Sequence, residues 1–450
     1  MTDSPHLILP VETAARELDA KLLLALMAAN AGMSVTLGNK ALLNLRISGL
    51  RPGIYLSHNF NAGRDRIISL ARRLGHRLAA WDEEGLVWIN EDIYRKRRAN
   101  LGAMKRLDLL LLWGEEQNAA LAPLTASLDA RVVASGNPRA DLLRKEMRPL
   151  YEARVSELRK ELGDFILINS NFGWINHALA RSGSDTLEEH LKATALKSGF
   201  PLAYLAHRHK IYRAFTATIP KLARQFPKRQ IVVRPHPSES RNGWRSEVSG
   251  LENVSVRYDS DLVPWLLAAG HIVQNGCTTA VETAMLGRAA ISYRPFIVEQ
   301  HEIPQPHRVS HVAHDDEELL SLLSDAGSAD SVPPAFASAL EQMAAGLDGP
   351  FASTRIVDEL LKLSATTPKT SAASRALAKG GALLRRAEKS VLRHVPGNAS
   401  QSHYVSQKFP PIAAATISAR LAEMAALLSV PAPRVHALAD RIFRIEAARS

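Results

Sequence analysis

The chain alternates short apolar runs with longer stretches of helical periodicity, and this restricts it to few folds. His6-Leu7-Ile8-Leu9-Pro10-Val11 reads as a short buried strand, and residues 13–32 then carry apolar positions at helical spacing, ending at Gly32. Ser34 to Leu37 is the next strand. Strand, helix and strand at this spacing form a βαβ unit, and a right-handed parallel sheet follows. The series continues with Gly53–Ser57, a helix over 64–75, Arg77–Ala80, Leu107–Trp113 and Val132–Ala134. Residues 141–162 are charged and helix-prone and read as a connecting helix. A second series starts at Phe165-Ile166-Leu167-Ile168 and runs through Gln230–Arg234, Val254–Arg257, His271–Gln274 and Ala289–Tyr293.

The expected class is therefore α/β, with two Rossmann-like doubly wound domains. By fold analogy, two such halves joined by a helix point to a GT-B-like architecture with the domains facing a cleft. The boundaries read as an N-terminal Rossmann-like domain over 1–145, a linker helix over 146–162 and a second Rossmann-like domain over 163–365. A basic linker and C-terminal helices follow over 366–450, where 412–448 reads as two Ala-rich helices. Plentiful aliphatic and few aromatic residues suit helix-covered parallel sheets. The single Cys277 excludes an intramolecular disulfide framework and fits a reducing compartment. Residues 1–5 carry no basic n-region, so no signal peptide is expected, and the longest apolar run, Leu22 to Ala29, is too short to span a bilayer. A cytoplasmic protein is expected, with possible contact on the inner face of the inner membrane. The formal charge of +11 fits nucleic acid, anionic lipid or phosphorylated and acidic substrates. No zinc-finger, RNA-recognition or helix-turn-helix pattern and no aromatic-rich basic stretch supports the first.

Doubly wound sheets bind ligands at the carboxyl ends of their strands, and three segments at such ends carry chemistry. Trp81-Asp82-Glu83-Glu84-Gly85 follows a strand; adjacent carboxylates repel, and a carboxylate there can serve as general base on an acceptor hydroxyl. A solvated acidic turn is the alternative. Arg234-Pro235-His236-Pro237-Ser238-Glu239 follows a strand, and its prolines bias Arg234 and His236 toward extended conformations in which both can meet a phosphate. A Pro-rich turn with an exposed histidine is the alternative. Gln274-Asn275-Gly276-Cys277-Thr278-Thr279-Ala280-Val281-Glu282 turns from a strand into a helix start, which suits phosphate and adds threonine hydroxyls. Thr278 can equally be an N-cap, with Glu282 completing a box-like pattern.

Weaker features are Asp259-Ser260-Asp261, a DxD-like run read as a helix start rather than a metal site, and His207-Arg208-His209, whose imidazoles split across a helix. Cys277 reads as a small buried residue beside a helix start.

In this order the motifs resemble GT-B-fold transferases that use CMP-sugars, namely bacterial sialyltransferases and capsule Kdo transferases. The matching elements are Glu83-Glu84-Gly85, His236-Pro237 and Thr278-Thr279. A closer resemblance, over roughly residues 6–365, is to bacterial surface carbohydrate biosynthesis proteins. It is carried by Pro10-Val11-Glu12, Arg16-Glu17-Leu18-Asp19, Asp82–Gly85, Gly136–Leu143, Asn169-Ser170-Asn171-Phe172-Gly173, the His-Pro element and Gln274–Glu282. Gly136–Leu143 is also similar to the GxPRxD element of teichoic-acid polyol-phosphate transferases. The resemblance implies transfer of an acidic ulosonic sugar from a CMP-activated donor to a hydroxyl of a surface polysaccharide or lipid-linked glycan. It implies Glu84 as base, with Glu83 second, His236 as a further catalytic residue, donor or general acid, and, for an N-terminal acceptor domain and a C-terminal nucleotide-sugar domain, a donor site in the latter of Arg234, His236, Pro237, Asn275, Gly276, Thr278, Thr279, Glu282 and Asn171. His236 and the threonines hold the CMP phosphate in those families. CMP leaves as a monophosphoester, so no metal or other cofactor is expected.

Three other readings remain open. A CDP-polyol phosphotransferase needs a histidine base in the first half, for which His58 is the candidate, against its reading as a loop histidine. An epimerase of the same architecture and a non-catalytic glycan- or nucleotide-binding protein are the others. Outside these domains, residues 375–393 mix Arg375, Lys379, Arg385, Arg386, Lys389 and Arg393 with leucines and valine, a pattern suited to anionic lipid or to a solvated linker helix that Gly380-Gly381 weakens.

Overall fold

A computed structural model describes residues 4–176, 187–259, 261–325, 327, 329, 331–366, 370–392 and 408–448, and for residues 385–392 the backbone only. Arg393, at the end of the basic segment, and Ser260 of the DxD-like run lie outside the described residues.

The chain forms two compact units: Met1–Leu86 with Glu91–Leu150 and Glu341–Ser450, and Val87–Asn90 with Tyr151–Leu340. In the first, strands β1 (His6–Val11), β2 (Ser34–Asn39), β3 (Ile54–Ser57), β4 (Arg77–Ala80), β5 (Leu109–Leu112) and β6 (Arg131–Ala134) are parallel in the order β2-β1-β3-β4-β5-β6. In the second, β7 (Ile166–Asn169), β8 (Ile231–Arg234), β9 (Val254–Val256), β10 (His271–Gln274), β11 (Ala290–Tyr293) and β12 (Ser310–Ala313) are parallel in the order β12-β11-β10-β7-β8-β9. Each sheet is doubly wound, as expected. The strand order reverses between β1 and β3 in one unit and between β7 and β10 in the other, and such reversals open the crevice in which doubly wound sheets bind ligands.

Helix Ala14–Asn30 shows why the run from Leu22 is almost wholly apolar. It lies on the first sheet and is covered in turn by helices Ala352–Ser364 and Ala414–Leu427, so Leu22, Leu23, Leu24 and Leu26 are all buried. Among the described residues no helix is long and apolar enough to cross a membrane.

Several expectations need correction. The second unit stops at Leu340 rather than residue 365, and helix Ala352–Ser364 returns to the first unit. Asp141 fastens it there, its carboxylate accepting from Ala352 N at 2.7 Å, Ser353 N at 2.8 Å and Ser353 Oγ at 2.6 Å. The GxPRxD-like element thus closes a helix start about 210 residues away. The linker helix over 146–162 is shorter: Lys145–Tyr151 is a 3-10 turn containing Pro149, and only Glu152–Leu162 is α-helical.

Residues 412–448 are not two helices. After helix Ala414–Leu427 come β13 (Arg434–Ala439) and β14 (Ile442–Glu446), a hairpin whose second strand pairs antiparallel with β2. Ile442, Phe443 and Ile445 are buried, and β14 covers the edge of β2. Gly38 permits the approach, since a Cβ there would stand 2.6 Å from the Arg441 carbonyl oxygen. Strand β12 had no counterpart in the sequence reading. The glycines at 380 and 381 do not interrupt helix Ala372–Leu392.

Candidate active site

In the first unit the carboxyl ends of β1, β2, β3 and β4 gather a charged cluster. The Glu12 carboxylate lies 2.5 Å from Lys40, 2.9 Å from Lys408 and 2.7 Å from His58 Nε2. Burial opposes its charge, yet His58 and Lys40 hold its pKa well below the usual carboxylate range. His58 is buried at the end of β3, and burial pulls its pKa down to about 4, so the ring is neutral near pH 7. It is therefore not an exposed loop histidine.

Behind this pair, Glu17 closes the first turn of helix Ala14–Asn30, accepting from the Glu12 N–H at 2.9 Å and the Thr13 N–H at 3.1 Å. Lys21, one turn on and fully buried, reaches Glu17 at 2.6 Å, the Pro10 carbonyl at 2.7 Å and Glu83 at 3.2 Å. Burial works against the Lys21 charge, and Glu17 and Glu83 together hold its pKa above the ordinary value.

The acidic turn after β4 is not a solvated one, because Asp82 and Glu83 are buried. Asp82 is structural: Arg98 grips its carboxylate, Tyr94 OH donates at 3.2 Å, and its carbonyl accepts from Trp113 Nε1 at 2.8 Å. Gly85 is required there, since a Cβ would come within 2.2 Å of the Gln117 amide. Glu83 accepts from Trp81 Nε1 at 2.8 Å, and burial, with the Glu17 charge adding to it, raises its pKa against Lys21 and Arg139. Glu84 differs: it is exposed and paired with Arg16, which outweighs desolvation and lowers its pKa. Of the two, Glu83 is the one whose pKa burial raises, and Glu84 the one whose pKa Arg16 lowers.

In the second unit the Asn169–Gly173, Arg234–Glu239 and Gln274–Glu282 segments come together at the carboxyl ends of β7, β8 and β10, while the acidic turn lies in the first unit. Asn171 Nδ2 donates to the Gly276 carbonyl at 3.0 Å, bridging β7 and β10 where the strand order reverses. A Cβ on Gly173 would stand 2.1 Å from Ser238 Oγ and 3.6 Å from His236 Nδ1, so a glycine lets these loops touch. Buried Glu239 ties them, accepting from Ser170 Oγ at 2.9 Å, Phe172 N at 3.0 Å, His236 N at 3.1 Å and Trp244 Nε1 at 2.6 Å. His236 Nδ1 lies 3.3 Å from the Ser238 N–H and 2.8 Å from its hydroxyl, on an exposed side chain. Pro237 is exposed beside it.

Arg234 is buried, with Nη2 on the Asp259 carbonyl at 2.8 Å and Nε lacking a partner among the described residues. Helix Thr278–Met285 is capped by Cys277, not Thr278, so Glu282 stands outside a capping box. Thr278 is half-buried, whereas Thr279 is buried with its hydroxyl 3.1 Å from Cys277 Sγ. Burial raises the Cys277 pKa, so the thiol is not poised as a nucleophile. Asn275 Nδ2 donates to the Tyr293 carbonyl at 2.8 Å.

The sequence reading passed over Arg208. It lies buried in helix Leu202–Gln225, with its guanidinium on Asn275 Oδ1 and on the Asn171 carbonyl at 2.7 Å. The only signal was an arginine three residues after Leu205 and three before Ile211, on the buried stripe of that helix. Its neighbour His207 instead joins Glu302 at 3.3 Å, where His307 at 2.9 Å and Arg294 at 3.1 Å also meet. Asp261 accepts from the Val263 N–H at 3.2 Å but is not the N-cap expected of this run, a position that Leu262 holds. Among the described residues no three His, Cys, Asp or Glu side chains converge as metal ligands.

No family model matches the chain, and no curated protein does. Solved structures are similar in fold. A putative UDP-N-acetylglucosamine 2-epimerase from Listeria monocytogenes superposes with a TM-score of 0.50 at 15% identity, covering 82% of this chain and 99% of that one. The fold is GT-B-like. The UDP-GlcNAc 2-epimerase from Methanocaldococcus jannaschii gives a TM-score of 0.49 at 12% identity over 79% of this chain and 99% of that one. The wall teichoic acid polymerase TagF gives 0.44 at 12% over 69% and 73%.

Proposed function

We propose that the chain is a glycosyltransferase that moves an acidic ulosonic sugar, Kdo-like or sialic-acid-like, from a CMP-activated donor to a hydroxyl of a surface polysaccharide or lipid-linked glycan. The observation that carries this reading is the meeting of Asn171–Gly173, Arg234–Glu239 and Asn275–Thr278 at the reversal point of the second sheet. There the His236 imidazole, the Thr278 hydroxyl and the helix-start N–H groups can bind one phosphate. Arg208 and Arg234 add positive charge beneath it.

In the reaction the acceptor oxygen forms a bond to the anomeric carbon as the carbon–oxygen bond to the CMP phosphate breaks. The bonding pair stays on the phosphate oxygen, where these donors stabilise it. The acceptor proton goes to a carboxylate, and the raised pKa of Glu83 favours it over Glu84 for that role. No step requires a metal.

A second reading, a CDP-polyol phosphotransferase, is favoured by one observation: buried, neutral His58 against Glu12 at the reversal point of the first sheet. Calorimetric titration with CMP, CDP and UDP, followed by turnover with CMP-activated ulosonic sugars and CDP-polyols, separates the two. Selective CMP binding that falls about tenfold or more in both His236→Ala and Thr278→Ala supports the glycosyltransferase. Preference for CDP, with turnover lost in His58→Ala, supports the phosphotransferase. Preference for UDP rejects both.

A further inference from the structure

We propose that the first unit binds an acidic sugar, one bearing a carboxylate or phosphate among its hydroxyls, where its strand order reverses. Glu12 and His58 directly follow β1 and β3, the two strands that flank the reversal, and Lys40 directly follows β2. Doubly wound sheets bind ligands at this point. Lys40 and His58 share one oxygen of the Glu12 carboxylate, and Lys408 takes the other. Arg64 belongs to the same group of charges. Burial, with Arg64 and Lys408 adding to it, outweighs Glu12 and pulls the Lys40 pKa down to about 8. The neighbouring acids are engaged elsewhere, Asp65 by Arg106 and Glu17 by Lys21. Glu12 thus faces two ammoniums and a guanidinium, with His58 neutral, and positive charge is left over.

The loop after β3 is fixed by its backbone. The Ser57 hydroxyl donates to the Asn59 carbonyl at 2.7 Å, the Glu83 N–H to the His58 carbonyl at 3.2 Å and the Asn100 N–H to the Phe60 carbonyl at 3.1 Å. Its side chains are not satisfied in this way. His58 Nδ1, Asn59 Oδ1, Asn61 Oδ1 and Arg64 Nε are buried with no hydrogen-bond partner among the described residues. His58 is 4% exposed and Asn59 8%. Buried polar groups in folded proteins are nearly always paired. Ionised Glu12 can only accept, so neutral His58 donates to it from Nε2, and His58 Nδ1 is a lone pair. Three acceptors in this loop therefore call for donors, which sugar hydroxyls supply. The surplus cations and Arg64 Nε call for an anion. A bare inorganic anion answers only the cations, and a neutral sugar only the acceptors. The bond from the Glu83 N–H joins this loop to the acidic turn. As an acceptor site it rests on the glycosyltransferase reading above; as a binding site it does not.

Calorimetric titration of the full chain with glucuronic acid, glucose 6-phosphate, glucose and sulfate tests it. At least one of the two sugar acids should bind saturably and about tenfold or more tighter than glucose or sulfate. The tighter of the two identifies the acid group. Arg64→Gln and Lys40→Gln should each weaken that ligand about tenfold, and Arg64→Lys should retain most of the affinity. Asn61→Ala should weaken it about threefold or more and leave sulfate unchanged. Arg64→Gln should keep the wild-type urea midpoint, so its lost affinity is not unfolding. His236→Ala should leave sugar-acid affinity unchanged, which separates this site from the phosphate site of the second unit. Failure of both sugar acids to bind, glucose or sulfate binding as tightly, or affinity that falls in His236→Ala but not in Arg64→Gln overturns the proposal. CMP titrated into the same protein keeps the two readings apart. CMP binding without sugar-acid binding removes this site and leaves the transferase; the reverse leaves the site without its acceptor role.

Discussion

Replacing Lys21 by Met removes the one cation inside a buried carboxylate pair while keeping nearly the same side-chain volume. Lys21 is 2% exposed and lies 2.6 Å from Glu17 and 3.2 Å from Glu83. At an effective dielectric near 20, the shorter contact alone amounts to about 6 kcal/mol of Coulomb attraction, most of it offset by desolvation of the two ions. The variant loses that attraction, but Glu17 remains buried and keeps its two backbone N–H donors. Breaking a buried pair in this way costs about 3–5 kcal/mol. With a urea dependence near 3 kcal/mol per molar, the midpoint for the first unit should fall by about 1–1.7 M at pH 8. The sign of the pH effect is fixed. Lys21 is a leading reason that Glu17 is held at about 2, so without it Glu17 takes up a proton in the folded state as pH falls. The stability deficit should therefore shrink between pH 8 and pH 5. Chemical denaturation followed by tryptophan fluorescence reads this, since Trp81 donates to Glu83 within the cluster. A loss under about 1 kcal/mol at pH 8, or a deficit that grows on acidification, refutes the account of Lys21 as the compensating charge.

Two further outcomes follow from the same unit. Glu83→Gln should lower transfer by about 10²–10⁴-fold with CMP affinity unchanged, while Glu84→Gln, which breaks only an exposed pair with Arg16, should stay within a few-fold of wild type; initial rates of CMP release decide it, and the opposite ranking removes Glu83 as base. His6, His58 and His76 are each pulled by burial from 6.5 to about 4. Their contributions, up to roughly 3 kcal/mol each, are complete above pH 6.5 and lost as pH falls through about 4. The urea midpoint should drop steadily from pH 7 to pH 4.5, and His76→Gln should flatten that slope; an unchanged slope counts against neutral burial of this ring.

The alternation of apolar runs and helical segments determined the class of fold and the positions of most strands, because strand and helix periodicities are local properties. The same holds for the placing of the acidic, His-Pro and Thr-Thr segments: each lies directly after an apolar run, so each had to emerge at a strand's carboxyl end. Which residues in them are exposed, paired or proton-accepting was decided only by the tertiary structure. Glu83 and Glu84 are neighbours in sequence, yet one meets Lys21 and Trp81 inside and the other meets Arg16 outside. Arg208 acquires its place from Asn275, 67 residues on. Asp141 and the helix at Ala352, and β14 and β2, are joined across 211 and about 400 residues. Such pairings depend on which buried polar groups and open sheet edges the folded chain must satisfy. No window of local sequence contains both partners.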